Sequence, residues 1–481
     1  MSSSRRLSQS LTGSWKEASY LLSPTFVQPS EDEIEEWVAT WRTVFAKGMS
    51  SVLGPHLIDS RIVSVDAETS VEDACELLLS EDIPCLAVRA RPVELADAEP
   101  FLGLFDFADV NAFLTLAATR HTLQPEDFRG NSRVNDIVTA AKAGRVPVHL
   151  VSNLSDKNSI AILPHNANLI SLLEIFSRGT HRCLVQSSVD PSEFVGMVSD
   201  RRLLAWFDTY ARDTPSFQKY LSNPISTLSL PSFNLNTAVV AAPSSATILD
   251  AMKLMSEQGV SSIAVVEEQN GNLLSAVSVT DIGKVVVPSQ SNQILSTPLH
   301  QFVAHIKEPD GSTDGVDKYP VYSVFPSSRL SYTIEKILAT NAHRVFVTKD
   351  SGPASPSLSP SFHGGSFQSN LIGIVSVVDI LSLFARSAKI PNVDPTHMQR
   401  HRRASSASSS ISERDIFNRS RSSSRTGIRL SPNVITSSPT ASSFIGSPVA
   451  IPALDLGLSS LSRKESRRSV HKRESGRESG G

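Results

Sequence analysis

A Ser-x-x-Asp pattern occurs twice where one apolar run ends and the next begins. In residues 371–384, LIGIVSVVDILSLF, the pair is Ser376 and Asp379, and in residues 275–286, SAVSVTDIGKVV, it is Ser278 and Asp281. A hydroxyl followed three residues later by an acid can form a capping box at a helix N-terminus. The same helix end offers unpaired N–H groups and a positive dipole end, and a carboxylate there can accept both hydroxyls of a ribose. A helix cap and a nucleotide site are therefore both open interpretations.

Two further copies of the segment depart from this pair. GLFDFADVNAFL keeps Asp109 but has Asp106 in the hydroxyl position, which places a second negative charge beside the first. GMVSDRRLLAWF keeps Ser199 but has Arg202 in the acid position, and Arg has no acceptor for a hydroxyl proton. We therefore expect a ribose to bind at Asp281 and Asp379, weakly or not at all at Asp109, and never at Arg202.

A His-Arg pair recurs at two turns from a helix into a strand. The pairs are His181-Arg182 in GTHRCLV and His343-Arg344 in NAHRVFV. Arg offers a fork of donors that matches a phosphate, and His adds another donor. The alternative is that His caps the helix C-terminus and Arg is surface charge. Two pairs at the same register favour a shared task, and we predict that they contact phosphate.

These motifs recur because the chain contains an internal repeat. Each of four units has a short apolar strand, an amphipathic helix, two further strands and a closing helix. Two long insertions, near residues 91–100 and 351–370, fall between the second and third strands, where a hairpin tolerates extra length. The sequence therefore predicts an α/β fold of four β-α-β-β-α repeats. Their ranges are 57–120, 128–212, 217–290 and 296–390.

The segments outside the repeats have a different composition. Residues 31–56 are predicted to form an amphipathic helix and a lead-in, with Ser30 as N-cap and one apolar face. That face comprises Ile34, Trp37, Val38, Trp41, Val44 and Phe45. Residues 1–30 and 391–481 are Ser-rich, and we expect them to be disordered because they can bury too little apolar surface.

Charge and composition exclude several classes of protein. Residues 394–481 carry 15 Lys and Arg against 7 Asp and Glu, so this segment is +8 and the remainder is −11 in a chain of net charge −3. Such an acidic body argues against a nucleic-acid-binding core, which needs basic clusters.

The first residues lack the apolar core of a signal peptide, and no apolar run approaches the roughly 18 residues of a membrane span. Cys75, Cys85 and Cys183 lack metal-ligand spacing, and we interpret them as buried reduced thiols. We expect a soluble intracellular protein, found in the cytoplasm and the nucleus.

The four β-α-β-β-α units resemble cystathionine-β-synthase (CBS) repeats. This resemblance implies two modules of two repeats that together form a disc with clefts for AMP, ADP or ATP, without an obligatory cofactor. The second and fourth repeats have His-Arg pairs, and the second repeat has Arg202 in the acid position. In this pattern the chain resembles the γ subunit of AMP-activated protein kinase. In that family a basic residue stands at the first-repeat turn, where this chain has Pro84.

The repeats followed by an Arg/Ser-rich tail resemble the fungal CBS regulators of type 2A-like phosphatases. That resemblance implies a regulator, inhibitory in character, with roles in the cell cycle, cell separation and stress or nutrient responses. The sequence has no GxSxG, P-loop, HExxH or kinase motif, so we expect no enzymatic activity. A γ-type subunit of a protein kinase, and a structural scaffold with empty clefts, remain as alternatives.

The Ser-rich ends also contain candidate phosphorylation sites. Three serines follow paired arginines, and three precede proline. The two groups are Ser8, Ser405 and Ser469, and Ser431, Ser438 and Ser447. A phosphate at these positions would make a basic segment more acidic and change its attraction to the acidic body.

Overall fold

The computed structural model describes residues 26–43, 57–90, 100–119, 132–190, 193–233, 239–288, 292–307, 323–349 and 370–393. The strands in this part of the chain are β1 (Ser64–Asp66), β2 (Leu86–Arg89), β3 (Phe101–Phe105), β4 (Ile162–Leu163), β5 (Arg182–Gln186), β6 (Phe194–Ser199), β7 (Ala241–Pro243), β8 (Ser262–Val266), β9 (Leu273–Ser278), β10 (Ser323–Val324), β11 (Arg344–Thr348) and β12 (Leu371–Ser376). The six candidate phosphorylation sites lie outside the described residues.

The α-helices of the same ranges are α1 (Glu31–Thr43), α2 (Val71–Ser80), α3 (Phe107–Thr119), α4 (Ser132–Lys142), α5 (Leu169–Phe176), α6 (Asp200–Asp213), α7 (Pro215–Leu221), α8 (Ile248–Gln258), α9 (Val279–Val286), α10 (Leu299–Lys307), α11 (Leu330–Ala339) and α12 (Val377–Ser387). Short 3-10 helices span Val148–Leu150, Ile225–Thr227 and Asn292–Ser296.

Each repeat forms one three-stranded sheet of the same topology. The first strand pairs in parallel with the second, and the third pairs antiparallel with the second. A parallel pair needs a crossover connection, which the first helix of each repeat supplies. The predicted α/β class and the β-α-β-β-α order are confirmed. The two long insertions also join second and third strands, β2 to β3 and β11 to β12.

The sheets of neighbouring repeats pack against each other. Cys85, Leu184 and Met197 form an apolar cluster between the sheets of repeats one and two. Phe346 and Ile374 belong to the corresponding cluster between repeats three and four. These contacts define module one, repeats one and two, and module two, repeats three and four.

The helices of one module pack against the helices of the other. Helix α3 of repeat one contacts α8 and α9 of repeat three, and α12 of repeat four contacts α5 and α6 of repeat two. Consequently one main apolar core combines the sheets of repeats one and three with α4 and α10, and the other combines the sheets of repeats two and four with α7. The core of repeats two and four also takes in α1.

Helix α1 docks through two tryptophans, as its apolar pattern predicts. The side chains of Trp37 and Trp41 are fully buried, and Val38 is buried beside them. The indole Nε1 of Trp37 donates to Ser216 Oγ at 2.9 Å, and the ring of Trp41 meets Phe207 edge-on at 5.1 Å. Ser30 and Glu33 exchange capping hydrogen bonds at the start of the helix. Ile34 is partly buried against the same core, and Val44 and Phe45 lie outside the described residues.

Three further observations bear on the sequence predictions. Val27, within the segment expected to be disordered, exchanges two hydrogen bonds with Asn223. Cys75, Cys85 and Cys183 are free and buried, and burial raises the pKa of each thiol, to about 12, 11 and 12 respectively. Within the described ranges no helix has the length and hydropathy needed to cross a membrane.

Candidate functional site

A cavity of about 450 Å³ lies where the four repeats meet. Six of the side chains selected from the sequence line it, namely Ser278, Asp281, His181, Arg182, His343 and Arg344. Asp109, Ser376 and Asp379, the other residues expected at nucleotide sites, do not line it. We call this cavity the central cleft.

Asp281 reaches the central cleft from the N-terminus of α9. Its backbone N–H donates to Ser278 Oγ at 3.1 Å, while its Oδ2 accepts from Ser278 N at 2.9 Å and from Ser278 Oγ at 2.8 Å. The capping box is therefore present, and the carboxylate is partly exposed to the cleft. In repeat three one residue therefore both caps the helix and faces the cleft.

Asp379 forms the same capping box but is closed off from solvent. Its side chain is 0% exposed, and Oδ2 accepts from Ser376 N at 2.9 Å and from Ser376 Oγ at 2.5 Å. Its Oδ1 accepts from the backbone N–H of Ser232 at 3.1 Å. A Cβ at Gly373 would lie 2.9 Å from the carbonyl oxygen of Phe233, so the connecting segment passes directly over this site. Both carboxylate oxygens of Asp379 therefore accept hydrogen bonds from within the chain.

Asp109 in repeat one is closed in the same way. Its side chain is 0% exposed, its Oδ1 accepts from Ser155 N at 2.9 Å, and its Oδ2 accepts from Asn158 Nδ2 at 2.7 Å. Burial, and next the nearby charge of Asp106, raise the pKa of Asp109 to about 7. The segment 152–158 therefore covers repeat one, as 229–233 covers repeat four.

Repeat two is covered by the segment that leads into β1. Asp59 N donates to Met197 O at 3.1 Å, and Met197 N donates to Ser60 O at 3.0 Å. The hydroxyl of Ser199 donates to the carboxylate of Asp59. A Cβ at Gly196 would lie 2.5 Å from Ile58 Cγ2. Arg202 is not among the residues of the central cleft.

The cleft is rich in positive charge although the body of the protein is acidic. Five cations line it, against the three carboxylates Asp82, Asp106 and Asp281. The cations are Lys157, Arg182, Arg201, Lys284 and Arg344. Basic side chains that converge on a partly enclosed cavity are suited to an anion such as a phosphate.

The two predicted arginines have different neighbours. Arg182 Nη1 forms an ion pair with Asp106 Oδ2 at 3.1 Å, and its Nη2 donates to Pro84 O at 3.4 Å. Asp106, which the sequence showed in place of a hydroxyl, therefore pairs with a cation of the neighbouring repeat. Arg344 Nη2 lies 3.4 Å from Ser261 Oγ, at the edge of hydrogen-bond distance.

Sequence reasoning missed Arg201 as a cleft residue. Its guanidinium donates to the backbone carbonyl and to the side-chain oxygen of Asn341, which links repeat two to the turn of repeat four. Arg201 stands at the second helical position, and Thr280, its counterpart in repeat three, also lines the cleft. Comparing all positions of the four helix starts, not only the Ser and Asp positions, would have pointed to it.

The two histidines of the His-Arg turns meet at one buried carboxylate. His181 Nδ1 lies 2.7 Å from Asp200 Oδ2, His343 Nδ1 lies 3.9 Å from the same oxygen, and the imidazole centroids are 5.0 Å apart. Burial alone would raise the pKa of Asp200, but His181 holds it below its ordinary value. Burial lowers the pKa of His343 well below its ordinary value, although Asp200 opposes this shift.

The four sheets, the cleft and the repeated helix starts define a protein built of CBS repeats. The family model described as "CBS domain" matches residues 233–287, which include all of repeat three's described strands. The chain is 30% identical over 387 residues to Protein sds23 of Aspergillus niger, covering 72% of this chain and 74% of that one. It is 32% identical over 374 residues to Protein SDS23 of Yarrowia lipolytica, and the alignment covers 75% of this chain and 72% of that one. The chain belongs to the Sds23 family.

Among solved structures, protein MJ1225 of Methanocaldococcus jannaschii is similar to this chain. The alignment has 13% sequence identity and a TM-score of 0.44, and it covers 69% of this chain and 98% of the other.

Proposed function

We propose that the chain is a non-catalytic regulator that binds one adenine nucleotide in the central cleft. The observation that carries this proposal is the convergence of Asp281 with Arg182, Arg201 and Arg344 in one cavity. In this arrangement the carboxylate of Asp281 accepts the ribose hydroxyls, and the guanidinium groups bind the phosphates. The cavity volume of about 450 Å³ lies within the range of small-molecule sites.

We propose one ribose position, Asp281, where the sequence led us to expect two. Asp281 faces the cleft, whereas Asp379 and Asp109 are fully buried and hydrogen-bonded to Ser232 and Ser155. A nucleotide at either buried site would have to displace a connecting segment and leave its N–H unsatisfied, at a cost of about 1–3 kcal/mol for that group alone. We therefore expect one nucleotide per chain.

Calorimetry of the full chain with AMP, ADP, ATP and adenosine tests this function. Asp281→Ala should weaken nucleotide affinity roughly ten- to a hundredfold, because it removes about 1.5–3 kcal/mol of charge-assisted hydrogen bonding. Arg344→Ala should weaken AMP and ATP binding but leave adenosine, which has no phosphate, unchanged.

Asp250→Ala is the matched control for this experiment. Asp250 forms an equivalent capping box with Thr247 at the start of α8, and it is not a cleft residue. This variant should bind nucleotide as the unaltered chain does. If Asp281→Ala also binds normally, the Ser-x-x-Asp pair of repeat three is a helix cap and the proposed site is wrong.

We further propose that the chain inhibits a type 2A-like protein phosphatase and acts in the cytoplasm and the nucleus. Membership of the Sds23 family supports this partner over a kinase subunit. The activity of a purified type 2A-like catalytic subunit on a phosphopeptide should fall when the chain is added. Addition of ATP or AMP should change the degree of this inhibition. Unchanged phosphatase activity at saturating chain would rule out direct inhibition, and imaging of a fluorescent fusion tests the localisation.

A further inference from the structure

Asp200 stands where the other three repeats have a buried apolar residue. It is the first residue of α6, and the corresponding first residues of α3, α9 and α12 are Phe107, Val279 and Val377. All three of these side chains are buried and apolar. The side chain of Asp200 is also 0% exposed. A buried carboxylate in an otherwise apolar position is costly unless something compensates its charge, so it calls for a specific role.

Two imidazoles of different repeats approach this carboxylate. One ligand atom each from His181, Asp200 and His343 can be chosen so that all lie within 4.8 Å of one another. His343 Nδ1 is buried and makes no hydrogen bond among the described residues, and it lies 3.9 Å from Asp200 Oδ2. The 3.9 Å separation is too long for a direct hydrogen bond, and an ion placed between the two atoms could bind both the imidazole nitrogen and the carboxylate oxygen.

We propose that His181, Asp200 and His343 bind one divalent transition-metal ion of the zinc class at the base of the central cleft. Two imidazole nitrogens and one carboxylate oxygen are a ligand set that Zn²⁺ accepts, with a fourth position left for water or a phosphate oxygen. The 2.7 Å contact between His181 Nδ1 and Asp200 Oδ2 is a hydrogen bond, so the ion takes the place of the shared proton.

The surroundings set the conditions for this ion. Arg182 and Arg201 carry positive charge nearby, which opposes a cation, but Arg182 is paired with Asp106. The ion adds two positive charges to the single negative charge of Asp200, so it increases the attraction of the cleft for an anion. If the ion binds at the Nδ1 atoms, the proton of His181 moves from Nδ1 to Nε2. Both rings then have Nε2–H as a donor, and the metal site and a phosphate site are compatible.

Metal titration of the full chain, purified without a histidine tag and stripped with a chelator, tests the proposal. One equivalent of Co²⁺ should produce the visible absorption bands of a tetrahedral ion, and Zn²⁺ should displace it. No nucleotide is present in this titration, so its outcome is independent of the proposed nucleotide function.

Asp200→Val is the decisive variant, because valine already occupies this position in α9 and α12. This variant should keep the circular dichroism spectrum and the thermal unfolding of a folded chain. Its metal affinity should fall by at least about tenfold, because loss of a residue that only hydrogen-bonds to a metal ligand already costs about tenfold. The double variant His181→Gln/His343→Gln should also stay folded and lose metal affinity.

His149→Gln is the control, since His149 lies outside the central cleft, with Nδ1 at 2.9 Å from Ala67 O. This variant should bind Co²⁺ as the unaltered chain does. The proposal is overturned if the folded chain binds no Co²⁺ or Zn²⁺, or if Asp200→Val binds either ion with unchanged affinity.

Discussion

Asp109, Asp281 and Asp379 occupy one position of the repeat, yet each has different surroundings. Asp281 is partly exposed to the cleft, whereas the other two are fully buried under connecting segments. Asp109 has a second carboxylate, Asp106, beside it. The same residue type therefore faces the cleft in one repeat and accepts internal hydrogen bonds in two others.

The raised pKa of Asp109 predicts a dependence of stability on pH. The folded pKa is about 7 and the ordinary value is 3.8, so between these values the folded chain holds a proton that the unfolded chain releases. Stability is therefore greatest below the lower value and falls as pH rises towards 7, by up to about 1.4 kcal/mol per pH unit. Asp109→Asn removes this contribution, so its free energy of unfolding relative to the unaltered chain should rise across this window and level off above it.

Urea unfolding at a series of pH values measures this difference. Asp250→Asn is a suitable comparison, because hydrogen bonds from Thr247 lower the pKa of Asp250 and its contribution has the opposite sign. Parallel stability curves for Asp109→Asn and the unaltered chain would show that Asp109 is ionised in the folded state.

At the residue scale the sequence selected six of the side chains that line the cleft, but it missed Arg201 and did not indicate that Asp109 and Asp379 are covered. Register among the repeats was enough to place Asp281, His181, His343 and both arginines together, because equivalent positions point to equivalent places. The burial of Asp379 depends on Ser232, a residue 147 positions away that belongs to no motif. A hydrogen bond between residues so far apart in the chain leaves no recognisable pattern in the sequence near either residue.

At the scale of elements, α9 and the start of α3 approach each other unusually closely. A Cβ at Gly283 would lie 2.3 Å from Phe107 Cδ1, inside van der Waals contact. Both residues are buried, and Phe107 also lines the central cleft. Gly283 therefore allows modules one and two to pack tightly beside the cleft.

Gly283→Ala should destabilise the folded chain by about 1–3 kcal/mol, because the aromatic ring must shift in a packed core. In an open helix the same substitution would stabilise by up to about 1 kcal/mol, so the sign is informative. Chemical denaturation measures the effect. Phe107→Leu should relieve the clash, so the double variant should lose less stability than the two single variants added together, and strict additivity would contradict the close contact.

Elements were the most predictable level of this structure. The strands and helices of all four repeats follow from alternating apolar runs and from turns at matching positions, and capping residues such as Thr247 and Ser278 mark helix starts. The sequence did not predict which helices pack against each other, because an apolar face indicates only that some other element covers it. The contact of α3 with α8, from repeats one and three, is a property of the assembled chain.

At the scale of the whole molecule, the two modules share their hydrophobic cores. One core combines the sheets of repeats one and three with α4 and α10, and the other combines the sheets of repeats two and four with α1 and α7. Each module keeps its own contact between sheets, but the apolar faces of its helices are covered by the other module. Neither module alone can bury these faces.

A fragment of module one, residues 57–212, should therefore not be a stable folded monomer. We expect it to dimerise through α3 and α6 or to aggregate, because it exposes half of each shared core. Light scattering coupled to size exclusion, together with circular dichroism, measures mass and folding. A folded, monodisperse monomer would contradict this view, and adding a separately expressed module two should restore a soluble complex if it is right.

The covered positions also bear on how such proteins evolve. Ser155 and Ser232 satisfy the aspartates of repeats one and four from within the chain, so selection for folding alone can preserve those residues. Counting Ser-x-x-Asp motifs in related chains would then overstate the number of ligands bound. Deletion of a few residues from a connecting segment could uncover an intact aspartate, so new binding sites can arise through changes in the linkers while the repeats stay as they are.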